Sequence, residues 1–218
     1  MMNKDVDDFT FLCVQGKDVK ALIVGGGNAA LTKTKSLINK GFTVHCVAPR
    51  FKEEFLRLNS EKLMLIKSNF EDNNIYNYHI VVICTDSKEL NEHIRELCQK
   101  NFKMFIDATE PEKSIATVCA TASTKEVAIA VRIKNKNPKA SKFLAEKIKN
   151  YLEPYDDYIS FITYVRNSVD CIPNKQELLE FLSSEDFLFF FQKSYGEKIL
   201  DLFYGGFNFE FKNSHSKK

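Results

Sequence analysis

The turn Gly25-Gly26-Gly27-Asn28-Ala29-Ala30 follows directly on the apolar run Ala21-Leu22-Ile23-Val24 and leads directly into the segment Leu31 to Ile38. A strand, a glycine turn and a helix in that order form a phosphate-binding device, so this stretch constrains the fold more than any other. In such a turn Gly25 is expected to permit the tight bend. Gly27 is expected to omit a side chain that would keep the backbone from a pyrophosphate, and Ala30 to let the helix pack closely on the strand. The helix N-terminus then presents free N–H groups and a partial positive charge to the phosphates.

The pattern repeats downstream. After the break at Gly41, residues Phe42 to Ala48 read as a second buried strand that Pro49 ends, and Phe51 to Leu58 as a helix. Leu63 to Ile66 and Ile80 to Cys84 read as third and fourth strands. Ser87 caps a helix carrying Leu90, Ile94 and Leu97 on one face, and Met104-Phe105-Ile106 is a fifth strand ending at Asp107. Strands alternating with helices predict an α/β fold, a Rossmann-type doubly wound parallel sheet with its ligand at the carboxyl ends of the strands.

Beyond residue 112 the rhythm changes. Glu126 to Ile133 reads as a strand, Lys134-Asn135-Lys136 as a turn, and Asn137 with Pro138 as the N-cap and first residue of a helix through Leu152. Ala140, Phe143, Leu144, Ile148 and Tyr151 form one apolar stripe on it, suited to a core or a dimer seam. Helices follow near 155 to 169, 174 to 182 and 185 to 204, the last ending at Gly205-Gly206. The concentration of phenylalanine from Phe181 to Phe211 suits a small helical core that lacks volume. Residues 212 to 218 are expected to be disordered. Three parts result: a dinucleotide-binding domain over 1–112, a dimerisation segment over 113–152 and a small helical C-terminal domain over 153–218.

Charge and composition exclude several functions. With 218 residues and a net charge of +2, the chain is no strongly basic nucleic-acid binder. Its first twenty residues carry Lys4, Asp5, Asp7 and Asp8, unlike a signal peptide, and no apolar run approaches the roughly 18 residues that span a bilayer. Six scattered cysteines without a CxxC pair read as reduced, buried thiols of a cytoplasmic protein. The four histidines show no metal-site spacing, so no metal ligands are expected. Between Arg132 and Lys149 seven cations stand against Glu146 alone, which makes either a site for a polyanion or a solvated face.

Three positions at strand ends carry the remaining chemistry. Asp107 closes the fifth strand, where a carboxylate can accept a proton or orient a cationic group, or simply cap a turn. Thr85 closes the fourth, within reach of a dinucleotide. The second strand ends Ala48-Pro49-Arg50, where an NAD-preferring fold offers an acid to the ribose hydroxyls. That acid is absent and Arg50 suits a 2′-phosphate, so NAD and NADP both stay open.

The segments Phe11 to Lys17, Ala21 to Gly27 with Ala30 and Lys33, Val44 to Pro49, Val81 to Asp86, Glu89-Leu90-Asn91 and Phe105-Ile106-Asp107 resemble the precorrin-2 dehydrogenase and ferrochelatase family, the dehydrogenase module of siroheme synthases. The resemblance covers most of residues 9 to 152. It implies NAD-dependent oxidation of precorrin-2 to sirohydrochlorin, in some members followed by insertion of ferrous iron, in a cytoplasmic homodimer. It also implies that Asp107 is the functional aspartate, acting as general base or, in chelation, as a group handling pyrrole protons, and that Asn28, Ala29, Pro49 and Arg50 contact the cofactor. Two segments depart from the family pattern, Ser114 to Ala120 and Arg132 to Pro138, both on the substrate side. They leave a rival reading, a non-catalytic dinucleotide-binding sensor or assembly module of tetrapyrrole synthesis, and a third, a chelatase without dehydrogenase activity.

Overall fold

The computed structural model describes residues 10–134, 137–169 and 174–204. Five strands, β1 (Lys20–Val24), β2 (Thr43–Val47), β3 (Leu63–Ile66), β4 (Ile80–Ile83) and β5 (Met104–Asp107), form one sheet in the order β3-β2-β1-β4-β5. All pairings are parallel, with Val24 beside Val47 and Ile83, and Ile83 beside Asp107. The order turns back at β1, so the carboxyl ends of β1 and β4 flank the switch point at which such sheets bind ligands.

The central strands β1 and β4 form because their side chains are buried on both faces, while β3 at the edge is only partly covered. Ala21 and Ile23 enter one cluster with Leu31, Leu37, Phe42, Val44 and Val82. Leu22 and Val24 enter the other with Ile75, Val81, Ile94 and Phe105. The period of two thus feeds two hydrophobic layers, one under α1 (Asn28–Asn39) and one under α3 (Lys88–Lys100). Thr34 on α1 and Cys46 on β2 share a buried hydrogen bond of 3.2 Å. The helix expected over Phe51 to Leu58 is shorter, α2 (Glu53–Leu56), and only Phe55 of it is buried.

The chain divides into two compact units, Met1–Val118 and Cys119–Lys218. The first runs past the expected edge at residue 112 for a physical reason. The Ser114 hydroxyl accepts from the Asp107 N–H at 2.8 Å, and the Ala116 N–H donates to the Phe105 carbonyl at 3.2 Å.

In the second unit, β6 (Ala120–Ser123) and β7 (Ala128–Val131) pair antiparallel and α4 (Pro138–Leu152) packs on both. The expected cap of α4 is present, the Asn137 side chain accepting from the Ala140 N–H at 3.0 Å. β7 is shorter than the strand expected from Glu126 to Ile133, and Asn135 and Lys136 lie outside the described residues. Helices α5 (Asp156–Ser168), α6 (Lys175–Leu182), α7 (Glu185–Gln192) and α8 (Gly196–Tyr204) follow. They enclose Phe161, Val165, Leu178, Leu182, Phe187 and Leu200.

Asp156, at the head of α5, accepts from the Thr124 hydroxyl at 2.6 Å and from the N–H groups of Lys125 and Glu126 at 3.0 and 3.2 Å. This clasp ties the helices to the β6–β7 turn, so the two parts drawn at residue 152 form one unit. The helix expected over 185 to 204 is two helices, interrupted where Ser194 adopts φ +63°. The tail from Gly205 on, with Phe207, Phe209 and Phe211, lies outside the described residues.

Candidate functional site

The site is built at the carboxyl edge of β1, β4 and β5. Gly25 has φ +130°, and a Cβ there would lie 2.4 Å from the Cys84 carbonyl oxygen, so both conformation and space require glycine. Gly26 is constrained by space alone, because its Cβ would lie 2.0 Å from the Arg50 carbonyl oxygen. Gly27 is different. A Cβ there would meet nothing within 4 Å.

This open position is the N-cap of α1, which has no side-chain cap. The first N–H groups of α1, at Asn28, Ala29 and Ala30, therefore have no side-chain cap, the arrangement that accepts a phosphate. Ala30 is fully buried in the hydrophobic layer, which seats the helix close to the sheet, while Asn28 and Ala29 are exposed. Pro49 and Arg50 are exposed on the loop after β2, held to the glycine turn by the Lys52 N–H donating to the Gly26 carbonyl at 3.1 Å. These residues fit a dinucleotide pyrophosphate.

Thr85 does not offer its hydroxyl to such a ligand. It donates to the Asn91 side chain at 2.5 Å, and the Asn91 amide donates to the Thr85 carbonyl at 3.1 Å and to the Thr109 hydroxyl at 3.2 Å. Thr109 in turn donates its hydroxyl at 2.6 Å and its N–H at 2.8 Å to Asp107 Oδ1. A half-buried polar chain thus runs from the end of β4 to the end of β5.

Asp107 is fully buried and saturated with donors. Besides Thr109, the Glu110 N–H donates to it at 3.0 Å, and Arg95 Nη1 from α3 makes a close ion pair with Oδ2. Burial alone would raise its pKa. The hydrogen bonds from the Thr109 hydroxyl, the Glu110 and Thr109 N–H groups and Arg95 outweigh burial and hold the carboxyl below its ordinary value. A carboxylate so held binds a proton less readily than a free one.

Arg95 is itself buried, pairing also with Glu92 and, at 3.2 Å, with Glu110, while Lys113 reaches Glu110 at 3.1 Å. Its Nε is buried without a partner. Arg95 and Thr109 belong to no sequence motif, Ser114 opens a segment that departs from the family pattern, and Asn91 lies in the family-like segment Glu89-Leu90-Asn91.

The cysteines differ partly from expectation. Cys46, Cys84 and Cys98 are buried, and burial pushes their thiols up to about 11, about 12 and about 12. Cys13 is exposed, Cys119 is half-buried, and Cys171 lies outside the described residues. Among the described residues no group of histidine, cysteine and carboxylate side chains is arranged to hold a metal ion. No helix among them is long and apolar enough to cross a membrane.

The chain resembles known proteins in sequence and in fold. The chain is similar to a siroheme synthase of Pseudoalteromonas translucida (strain TAC 125), 26% identical over 133 residues, 60% of this chain and 28% of that protein. It is similar to the precorrin-2 dehydrogenase of Bacillus subtilis (strain 168), 23% identical over 135 residues, 62% of this chain and 83% of that protein. The chain spans about three-tenths of the length of the first siroheme synthases it matches. Its fold is that of the solved structure of SirC, precorrin-2 dehydrogenase, with a TM-score of 0.64, 20% identity, and coverage of 88% of this chain and 98% of that one. Residues 12–120, which hold the glycine turn, all five parallel strands and Asp107, match the NAD(P)-binding family model NAD_binding_7, and the chain belongs to that family.

Proposed function

We propose that this chain oxidises precorrin-2 to sirohydrochlorin with a nicotinamide dinucleotide as acceptor. The substrate gives up one hydride and one proton. When bound, the dinucleotide supplies the acceptor carbon for the hydride. The observation that carries the reading is the open space at Gly27 above the uncapped N-terminus of α1, on the same sheet edge as Asp107.

The chain's own residues bind and orient. The α1 N–H groups and the bare Gly27 hold the pyrophosphate, and Gly25 and Gly26 keep the turn against the loops after β4 and β2. Asp107 acts as a fixed negative charge that organises the loop after β5 through Thr109 and Glu110, and the released proton leaves by another acceptor or solvent. In the second unit, the cations Lys139, Lys142 and Lys147, exposed on α4, suit a substrate bearing several carboxylates.

A homodimer belongs to the same proposal. The outer face of α4 exposes Phe143, Leu144, Ile148 and Tyr151, with Phe143 60% and Tyr151 69% accessible, an apolar stripe that a second copy would cover. Ferrous iron enters the reading only as a substrate, inserted into sirohydrochlorin.

A second reading, a dinucleotide-binding sensor without turnover, is favoured by the sealing of Asp107 under Arg95. One experiment separates the two. Purified protein is given precorrin-2 with NAD or NADP under anaerobic conditions, and reduced nucleotide and sirohydrochlorin are followed together. Stoichiometric appearance of both is expected. Dinucleotide binding without either product leaves the sensor. Asp107→Asn, which keeps an acceptor and removes the charge, is expected to lower kcat and to lower stability by about 3 kcal/mol, since it leaves Arg95 buried with a lost partner. Full activity in that variant would remove Asp107 from the mechanism. Iron uptake by supplied sirohydrochlorin, measured without dinucleotide, tests the chelatase step.

A further inference from the structure

The pyrophosphate does not account for the whole carboxyl edge. The rim beyond β2 and β3 is basic. No carboxylate occurs from Thr43 to Lys52, and the residues leaving β2 are Ala48, Pro49, Arg50, Phe51 and Lys52. Ala48, at 4% exposure, stands buried near the position at which an acid would accept hydrogen bonds from the two ribose hydroxyls of the adenosine. The parallel register sets Val47 beside Ile66, and the Ala48 N–H donates to the Ile66 carbonyl at 3.1 Å. Lys67 therefore leaves β3 at the same edge.

Arg50 is fixed to the phosphate turn through its backbone. Its carbonyl oxygen lies 2.0 Å from the place of a Gly26 Cβ, and the Lys52 N–H donates to the Gly26 carbonyl at 3.1 Å. Arg50, Lys52 and Lys67 are all exposed, and none of them forms an ion pair among the described residues. The acids next along the chain are Glu53 and Glu54 of α2. Glu53 is engaged by Arg57 at 3.7 Å. An unpaired guanidinium on the loop tied to the phosphate turn, with Lys52 two residues on, Lys67 leaving β3 at the same edge and no acid to accept ribose hydroxyls, suits a phosphate monoester, which arginine can grip with two parallel hydrogen bonds.

We propose that Arg50, assisted by Lys52 and Lys67, binds the 2′-phosphate of the adenosine ribose, so that this chain prefers NADP to NAD. The inference rests on the dinucleotide-binding reading and concerns which dinucleotide is chosen. It needs no turnover, so its test stands apart from the proposed oxidation.

The experiment is calorimetric titration of the full chain with NADP and, separately, with NAD, repeated on Arg50→Glu and Arg50→Gln, with 2′,5′-ADP as a competitor. The expected result is tighter binding of NADP, displacement by 2′,5′-ADP, and an NADP:NAD affinity ratio that falls about tenfold or more in Arg50→Glu and less in Arg50→Gln. The ratio is the readout because a merely structural role for Arg50 would weaken both nucleotides alike and leave it unchanged. Binding of NAD in preference to NADP overturns the inference and leaves the dinucleotide reading intact. A ratio unmoved by both substitutions also overturns it. Failure of both nucleotides to bind the wild-type chain overturns the inference and the dinucleotide reading together. Thermal unfolding of each variant identifies one that has lost its fold, and Lys67→Gln, outside the glycine turn and its loop, then supplies the smaller shift in the same ratio.

Discussion

Three consecutive glycines do two different jobs. Gly25 and Gly26 are filled positions, each with a carbonyl oxygen closer than any Cβ tolerates, whereas Gly27 is an open one. Gly25→Ala is therefore expected to cost about 3 kcal/mol or more, from φ +130° and the Cys84 carbonyl. Gly27→Ala, in extended backbone, should change stability by less than about 1 kcal/mol while weakening dinucleotide binding about tenfold or more. Urea unfolding and calorimetry read the two effects separately, and a Gly27→Ala protein that binds normally would place the pyrophosphate elsewhere. The sequence shows three glycines and cannot rank them, since the ranking depends on residues 84 and 50, far along the chain. Arg95 is hidden for the same reason. On a helix it looks like a solvated cation, and it is buried only because Glu92, Asp107 and Glu110 converge on it.

At the scale of the element, legibility followed apolar content. Ile80 to Ile83 is apolar throughout and wholly buried, so β4 was plain, and Ser87 and Asn137 mark two helix starts by side chains that do cap. β6 was missed. Ala-Thr-Ala-Ser has little intrinsic strand preference, and its pairing comes from β7 and the cover of α4. The break between α7 and α8 was missed because Ser194, rather than a glycine, takes the left-handed conformation.

The Asp156 clasp belongs to this scale too. The Thr124 hydroxyl and the Lys125 and Glu126 N–H groups hold its carboxyl below the ordinary value against the effect of burial. A lowered folded pKa stabilises above the unfolded value of about 3.9 and ceases to do so as pH falls through the folded one. Asp156→Asn should therefore unfold earlier than wild type in urea near neutral pH, with the gap closing below about pH 4. A gap constant with pH would mean that the charge contributes nothing.

For the whole molecule, the doubly wound sheet was readable because each buried strand is announced locally, whereas the extent of each unit was not. The edges depend on contacts such as Ser114 with Asp107 and Asp156 with Thr124, which cross the boundaries that composition suggests. The proposed homodimer is tested at this scale. Sedimentation equilibrium should give a dimer for the wild-type chain and at least a hundredfold weaker association, on the order of 3 kcal/mol, for Ile148→Asp, whose side chain lies in the exposed stripe of α4. A wild-type monomer would rule the dimer out.

The cysteine pattern gives the first unit a native clock. Cys46, Cys84 and Cys98 sit inside its two hydrophobic layers, at 0%, 8% and 0% exposure, as thiols that burial keeps protonated. Cys13 is open to solvent. A thiol reagent meets Cys13 at once and the other three only when strands part from helices. The slow phase of labelling thus counts openings of the sheet, without any probe being added to the molecule.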